Sequence, residues 1–226
     1  MFKKLAEIEK IAKTKKTQRI VVAAAGDQDV LEAIKNAQKY GIIVPVFVGD
    51  LEKIKEIAAK INLDLSNIEM YNYPDKFEAS DKAVQLIREG KGDILMKGMV
   101  STGILLKSVL NKEAGLRKGD LLSHVALFET PYYHKLLGVT DAAMNVKPEL
   151  MEKIGIIKNA LEVFHKLGHA TPKVAIVGSV ETINPRMEAT MHAATISMMN
   201  YRKQITGCII DGPLALSVSY THLRAH

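Results

Sequence analysis

The feature that most constrains this chain is a repeated change of hydrophobic period between Arg19 and Gly98. Short continuous apolar runs, RIVVAAAGD from Arg19, IIVPVFVGD from Ile42, NIEMYNY from Asn67 and DILMKG from Asp93, alternate with segments whose apolar residues recur every three or four positions. The runs are too short for helices, and three of the four end in Gly-Asp or Lys-Gly corners, so they read as strands, with amphipathic helices between them. That alternation favours parallel pairing with right-handed crossovers and helices on both faces of the sheet. The expected fold class is therefore α/β, a parallel-sheet αβα sandwich. Pro45 has no N–H to give a ladder, which predicts an edge position or a bulge for its strand. Ser80 is expected to open the helix that Gly90 closes.

Length and charge set the next bounds. With 226 residues, 47% of them hydrophobic, the chain can bury a core in one large or two small domains. Its net charge of +6 comes partly from Lys3, Lys4, Lys10, Lys13, Lys15 and Lys16 at the amino end. Only 5% of residues are aromatic and no RNA-binding signature is present, so nucleic acid is set aside as a partner. A solvated helix face with some steering of polyanions is expected instead. The one cysteine, Cys208, excludes an intrachain disulfide and a multi-thiolate zinc site. It lies in the apolar run Ile205 to Ile210, where a buried, inert thiol is expected. Lysines and glutamates interrupt the first apolar positions, so no signal peptide or membrane span is predicted and a cytoplasmic location is expected. His165 and His169 have helical i, i+4 spacing without an evident third ligand, and read as surface histidines; no metal is assigned.

The chemistry concentrates between Gly92 and Asn145. A strand turns through Lys97-Gly98 and offers Ser101-Thr102 at the start of a periodic segment, Ile104 to Leu110. A helix start of this kind collects free N–H groups, a favourable dipole end and hydroxyl donors, and suits an anion. Walker spacing is absent. The plain alternative is an N-cap beside a solvated lysine. LLSHVALFE brings Ser123-His124 and GVTDAAMN brings Thr140-Asp141 and Asn145, on strand-like runs expected to neighbour the first and to converge at their carboxyl ends. A structural histidine and a capping aspartate are the alternatives for His124 and Asp141. Beyond Asn145 come a long helix with the stripe Leu150, Ile154, Ile157, Leu161, Phe164 and Leu167, a strand PKVAIVGSVE, a helix RMEATMHAATISMMNYRKQ, and ITGCIIDGPLAL, a strand running into a turn. Asn184-Pro185 and Asp211-Gly212-Pro213 are turn devices in their own right.

In this order and at these separations, MKGMVSTGILLKSVLNKEAGLR, LLSHVALFE, TDAAMN, INPRM and DGPLAL closely resemble the butyryltransferase branch of the phosphate acetyl/butyryltransferase family. The similarity runs from about Arg19 to Leu216. It implies reversible transfer of a short acyl group, butyryl favoured, between CoA and inorganic phosphate, with acyl-CoA and phosphate as substrates and no separate cofactor. It also implies two domains around a cleft, of the isocitrate/isopropylmalate dehydrogenase type, in a homo-oligomer at family length. The boundary is expected near Lys147-Pro148, giving domains over 1–147 and 148–216, the second incomplete. By the same resemblance Ser101, Thr102 and Lys107 bind phosphate, and Lys97 is an electrostatic partner of phosphate or the oxyanion. His124 serves the thiolate leaving group, Ser123 is a substrate-binding residue, Asp141 and Asn145 orient the acyl or CoA portion, and Asn184 and Asp211 face the cleft. The resembled family commonly has arginine where this chain has Lys107, which would replace a bidentate fork with a point charge. From Ser217 the chain reads SVSYTHLRAH, which departs from the family and is expected to be a non-native tail over 217–226 on an impaired enzyme. Two other functions stay open: a non-catalytic CoA- or phosphate-binding fragment, and a metal- and NAD(P)-dependent dehydrogenase, which the lack of an aspartate cluster disfavours.

Overall fold

The computed structural model describes residues 2–215, so the expected tail from Ser217 lies outside the described residues. The chain divides into two compact units, Glu9–Asp120, and Leu121 onward together with the residues up to Ile8. Helix α1 (Leu5–Ala12) contributes to both.

The Glu9–Asp120 unit holds a four-stranded parallel sheet of β1 (Gln18–Ala23), β2 (Ile43–Gly49), β3 (Glu69–Asn72) and β4 (Ile94–Lys97), in the order β3-β2-β1-β4. Helices α2 (Gln28–Lys39), α3 (Leu51–Lys60) and α4 (Lys76–Arg88) connect the strands, and α5 (Thr102–Val109) follows β4. The strand pleat sorts the core into two layers. Val21 and Ala23 of β1 face α4 and α5 in one apolar cluster, while Val22 faces α2 and α3 in another. Fully buried Phe47, Leu31, Ile34 and Ile54 each contribute about 1.5–3 kcal/mol of apolar transfer. The Gly-Asp corners act as helix starts: Asp27 accepts from Val30 N, and Asp50 from Glu52 N and Lys53 N.

Two expectations need correcting in this unit. Pro45 sits in β2, which lies between β3 and β1 and is not an edge strand. It is tolerated because the β3 ladder begins only at Val46, so the sheet is open beside Pro45 on that side. Helix α4 starts one turn before Ser80, at N-cap Asp75, whose carboxylate accepts from Phe77 N and Glu78 N. Ser80 is buried inside the helix and donates to Lys76 O, the local bond available to a mid-helix serine.

In α5, Ser108 is 3% exposed and its Oγ has no hydrogen-bond partner. A buried hydroxyl without a partner is unfavourable by about 1–3 kcal/mol, and alanine is the better helix former. Ser108→Ala is therefore expected to leave the melting temperature unchanged or raise it by a few degrees. A fall of several degrees in a thermal melt would show that the hydroxyl is bonded after all.

The second unit has two small sheets. β5 (Ala126–Phe128) and β6 (Leu137–Val139) pair antiparallel, and β7 (Lys173–Val177) and β8 (Ile209–Leu214) pair parallel. Helix α6 (Leu150–Lys166) and helix α7 (Glu188–Tyr201) supply Ile154, Ile157, Leu161 and Ile196 to a core shared with Ile205, Cys208 and Ile210. The expectation that the runs around Ser123 and Asp141 extend the parallel sheet is corrected here. Residues 129–136 are too few for a crossover, which needs a dozen or more, so the two strands fold back on each other.

The contact division at Asp120/Leu121 precedes the boundary expected at Lys147-Pro148, because the Leu121–Asn145 stretch is seated on α6. Leu121 fits against Gly155, where a Cβ would come within 3.0 Å of its side chain, and Phe164 occupies the space that Gly138 leaves by lacking one. Asp211-Gly212-Pro213 is not a turn but part of β8, with a register shift against β7 where a Cβ on Gly212 would lie 2.8 Å from Ile176 O. His169 is not at the surface either. It is 6% exposed, packs edge-on to Phe164, and burial pushes its pKa below the ordinary histidine value. His165 is exposed, with Nε2 2.9 Å from Gly207 O. Cys208 is buried, and burial raises its thiol pKa, consistent with an unreactive side chain.

Candidate functional site

The first group of expected site residues lies at the corner between β4 and α5. Its turn is bonded to the end of β1: Gly98 N donates to Ala23 O and Met99 N to Ala24 O, both at 2.8 Å. The approach is that close because residue 98 is glycine; a Cβ there would meet Ala24 O at 2.3 Å. Lys97 Nζ donates to Gly98 O at 3.2 Å and Val100 O at 3.0 Å, which ties the ammonium to its own turn while the residue stays exposed. Ser101 is the N-cap, its Oγ accepting from Ile104 N at 3.3 Å. The first amides of α5, Thr102 and Gly103, have no helical carbonyl to bond. Around Gly103 there is open space, with nothing within 4 Å of where a Cβ would stand. The corner thus presents exposed Ser101 and Thr102 hydroxyls, helix-start N–H groups and a nearby ammonium on a fixed backbone, a donor set suited to an anion. Lys107 is turned to α4: its Nζ lies 5.2 Å from the centre of the Phe77 ring.

The second group forms a knot in the other unit, where the start of β5 meets the end of β6. Thr140 Oγ1 donates to His124 O at 2.6 Å, and His124 N donates to Asp141 Oδ2 at 3.3 Å. Asp141 Oδ1 accepts from Ala143 N and Met144 N at 2.9 Å each, and Asn145 Nδ2 donates to Asp141 Oδ2 at 2.5 Å and to Leu122 O at 3.0 Å. Burial pushes the Asp141 carboxyl up, but the four donors outweigh it and bring its pKa down to about 2. His124 Nδ1 is buried without a partner. An N–H is harder to leave unpaired than a lone pair, so the favoured neutral tautomer carries its proton on Nε2. Ser123 Oγ accepts from Asn159 Nδ2 at 2.9 Å. Asn159 escaped the sequence reading because α6 also carries Glu152, Lys153, Lys158 and Glu162, so one more polar residue stands out by no period.

The remaining expected residues serve local structure. Asn184 Oδ1 accepts from Arg186 N at 3.0 Å, and its backbone bonds both ways with the fully buried Thr190 hydroxyl. Asp211 is exposed in β8 and accepts from Gly212 N at 2.9 Å. Among the described residues, Glu149, Glu188 and His192 bring ligand-type atoms within 4.8 Å of one another. Lys153 Nζ stands 2.9 Å from His192 Nδ1 and has only protons to give. Nδ1 therefore accepts, Nε2 carries the proton, and it faces Glu188 at 3.7 Å as a donor rather than as a metal ligand. No helix among the described residues is long and apolar enough to cross a membrane.

Residues 4–82 and 76–222 match the family described as "Phosphate acetyl/butaryl transferase"; the matched range passes Ser217, where the sequence was expected to depart. Over 226 residues the chain is 47% identical to a phosphate butyryltransferase of Clostridium acetobutylicum, covering all of this chain and 75% of that one. It is 46% identical, with the same coverage, to a phosphate butyryltransferase of Clostridium beijerinckii. Among solved structures, it resembles a branched-chain phosphotransacylase from Enterococcus faecalis with a TM-score of 0.77 and 28% identity, over 93% of this chain and 75% of that one.

Proposed function

Because the chain belongs to the phosphate acetyl/butyryltransferase family, we infer that it moves a butyryl group between CoA and inorganic phosphate. In the forward direction a phosphate oxygen attacks the thioester carbonyl, the C–O bond forms, and the tetrahedral oxyanion collapses with loss of the CoA thiolate. The products are butanoyl phosphate and CoA. No covalent enzyme intermediate and no cofactor beyond the two substrates are required.

The observation that carries this reading is the rigid β4–α5 corner, with helix-start donors and open space at Gly103. Ser101, Thr102 and the first α5 amides are assigned to phosphate, with Lys97 adding charge and Lys107 a more distant one. By the resemblance His124 serves the thiolate leaving group; within its own unit the Asp141–Asn145–Thr140 knot holds it, in the Nε2–H tautomer. Ser123 and Asn145 touch the acyl or CoA portion. Asn184 and Asp211 keep only the resemblance as support for a substrate role. The same reading takes the fold as the isocitrate/isopropylmalate dehydrogenase type and the enzyme as a cytoplasmic homo-oligomer.

The test is release of CoA thiol from butyryl-CoA and acetyl-CoA, with and without phosphate. Release is expected to require phosphate and to favour butyryl-CoA. Ser101→Ala is expected to raise the KM for phosphate about tenfold or more while the melting temperature falls only by the few degrees a lost N-cap implies. Equal release without phosphate would make the chain a thioesterase instead.

A further inference from the structure

Ser123 and Asn159 are joined by a bond whose direction can be worked out. Asn159 Nδ2 lies 3.2 Å from Leu121 O and 2.9 Å from Ser123 Oγ. A backbone carbonyl only accepts, so the Asn159 atom facing Leu121 O must be the amide nitrogen. Its second proton then goes to Ser123 Oγ, which makes the serine the acceptor. The serine therefore keeps its own proton for another partner. That proton does not go to the neighbouring ring, because His124 Nδ1 has no partner, and among the described residues no other group accepts it.

The surrounding backbone holds this arrangement still. Leu121 O is held by Asn159, Leu122 O by Asn145, His124 O by Thr140 and His124 N by Asp141. Gly155, one helical turn before Asn159, lets Leu121 approach α6 closely enough for the amide to reach. The side chains around Ser123 thus fix its position and leave one hydroxyl proton as the group with something to give. Ser123 is only half-buried, so that proton is within reach of a ligand.

We propose that Asn159 is a positioning residue that turns the Ser123 hydroxyl into an oriented donor to a substrate oxygen, that of the thioester carbonyl. This rests on the acyl-transfer reading above. The polarity of the bond is the essential point. An acceptor at position 159 would capture the serine proton and leave nothing for the substrate.

The experiment measures kcat and both KM values for phosphate-dependent thiol release from butyryl-CoA by the full chain, in Ser123→Ala, Asn159→Ala, Asn159→Asp and the Ser123→Ala/Asn159→Ala double variant. Ser123→Ala and Asn159→Ala are each expected to lower kcat/KM about tenfold and to raise the same KM, that of butyryl-CoA. The double variant is expected to lie within about threefold of the worse single one, since both changes remove the same donor. Asn159→Asp, nearly isosteric but unable to donate, is expected to lose about a hundredfold. A merely structural role would lower the active fraction, and hence kcat, with both KM values unchanged; that result overturns the proposal, as do single effects that multiply. If Asn159→Ala melts early, the Asp variant and the KM of Ser123→Ala decide. Wild-type chain without phosphate-dependent release overturns the acyl-transfer reading, and this inference with it. An active wild type with an undiminished Asn159→Asp overturns this inference alone.

Discussion

Gly98→Ala is expected to destabilise the Glu9–Asp120 unit by about 3 kcal/mol or more and to abolish phosphate-dependent turnover. The added methyl would stand 2.3 Å from Ala24 O and 2.6 Å from Ala23 O. Both are backbone atoms at the end of the central strand β1, held by their own bonds to Gly98 N and Met99 N. A flexible side chain could rotate away from the intrusion, but these carbonyls can move only if the sheet and the turn separate. Such separation would also shift Ser101 and the start of α5, where phosphate is proposed to bind. For a chain of this size the melting temperature should fall by roughly 6–12 °C. Gly103→Ala is the control: nothing lies within 4 Å of its Cβ, so the protein should fold as well or slightly better. Equal melting of the Gly98 variant and wild type would mean that β1 and the turn do not meet as closely as described.

Asp141→Ala is expected to cost about 2–4 kcal/mol and to reduce kcat about a hundredfold. The change strips the acceptor from Ala143 N, Met144 N, Asn145 Nδ2 and His124 N at once. His124 then keeps the Thr140 bond to its carbonyl but loses the one on its amide, so the ring is no longer held for proton donation. Asp141→Asn separates charge from shape. Its amide nitrogen would point at donors, so it too should lose activity while keeping the volume. Acid gives an independent readout. The folded pKa of Asp141 is depressed to about 2, below the unfolded value near 3.8. A depressed carboxyl stabilises the fold above its unfolded pKa, and that contribution disappears as pH falls from about 4 through 2. The loss is on the order of 2 kcal/mol. Other carboxylates, Glu69 among them, are also depressed, so the comparison is wild type against Asp141→Asn. The difference in unfolding free energy between the two should shrink between pH 5 and pH 2. A difference that is flat across that window would show that the aspartate is not held by those donors.

Much of the first unit was legible before any coordinates. The four runs became β1 to β4 in a parallel sheet, and Ser101 caps α5 as its position before Ile104 suggested, while the Gly-Asp corners, read as strand-end turns, proved also to be helix caps at Asp27 and Asp50. Asp141 was recognised as a candidate, and its capping of Ala143 and Met144 matches the plainer reading given for it. Ser80 misled because a serine before a periodic run resembles an N-cap, while Asp75, one turn earlier, was the stronger competitor for the same role. Lys107 was placed by its neighbours in sequence, yet its ammonium lies over Phe77, a residue thirty positions earlier.

What this sequence determined by itself is whatever depends on a few adjacent residues: hydrophobic period, caps, turn glycines and the motif block that marks the family. These follow from local sterics and short-range hydrogen bonds, which are the same wherever the segment ends up. What the tertiary structure alone decided is which distant groups meet: Asn159 with Ser123, Phe164 in the gap at Gly138, His169 in the interior, and Pro45 beside the end of a shorter strand. Those contacts depend on how far each strand extends and which surfaces close on each other, and chain closure over long separations leaves no periodic trace in the residues it brings together.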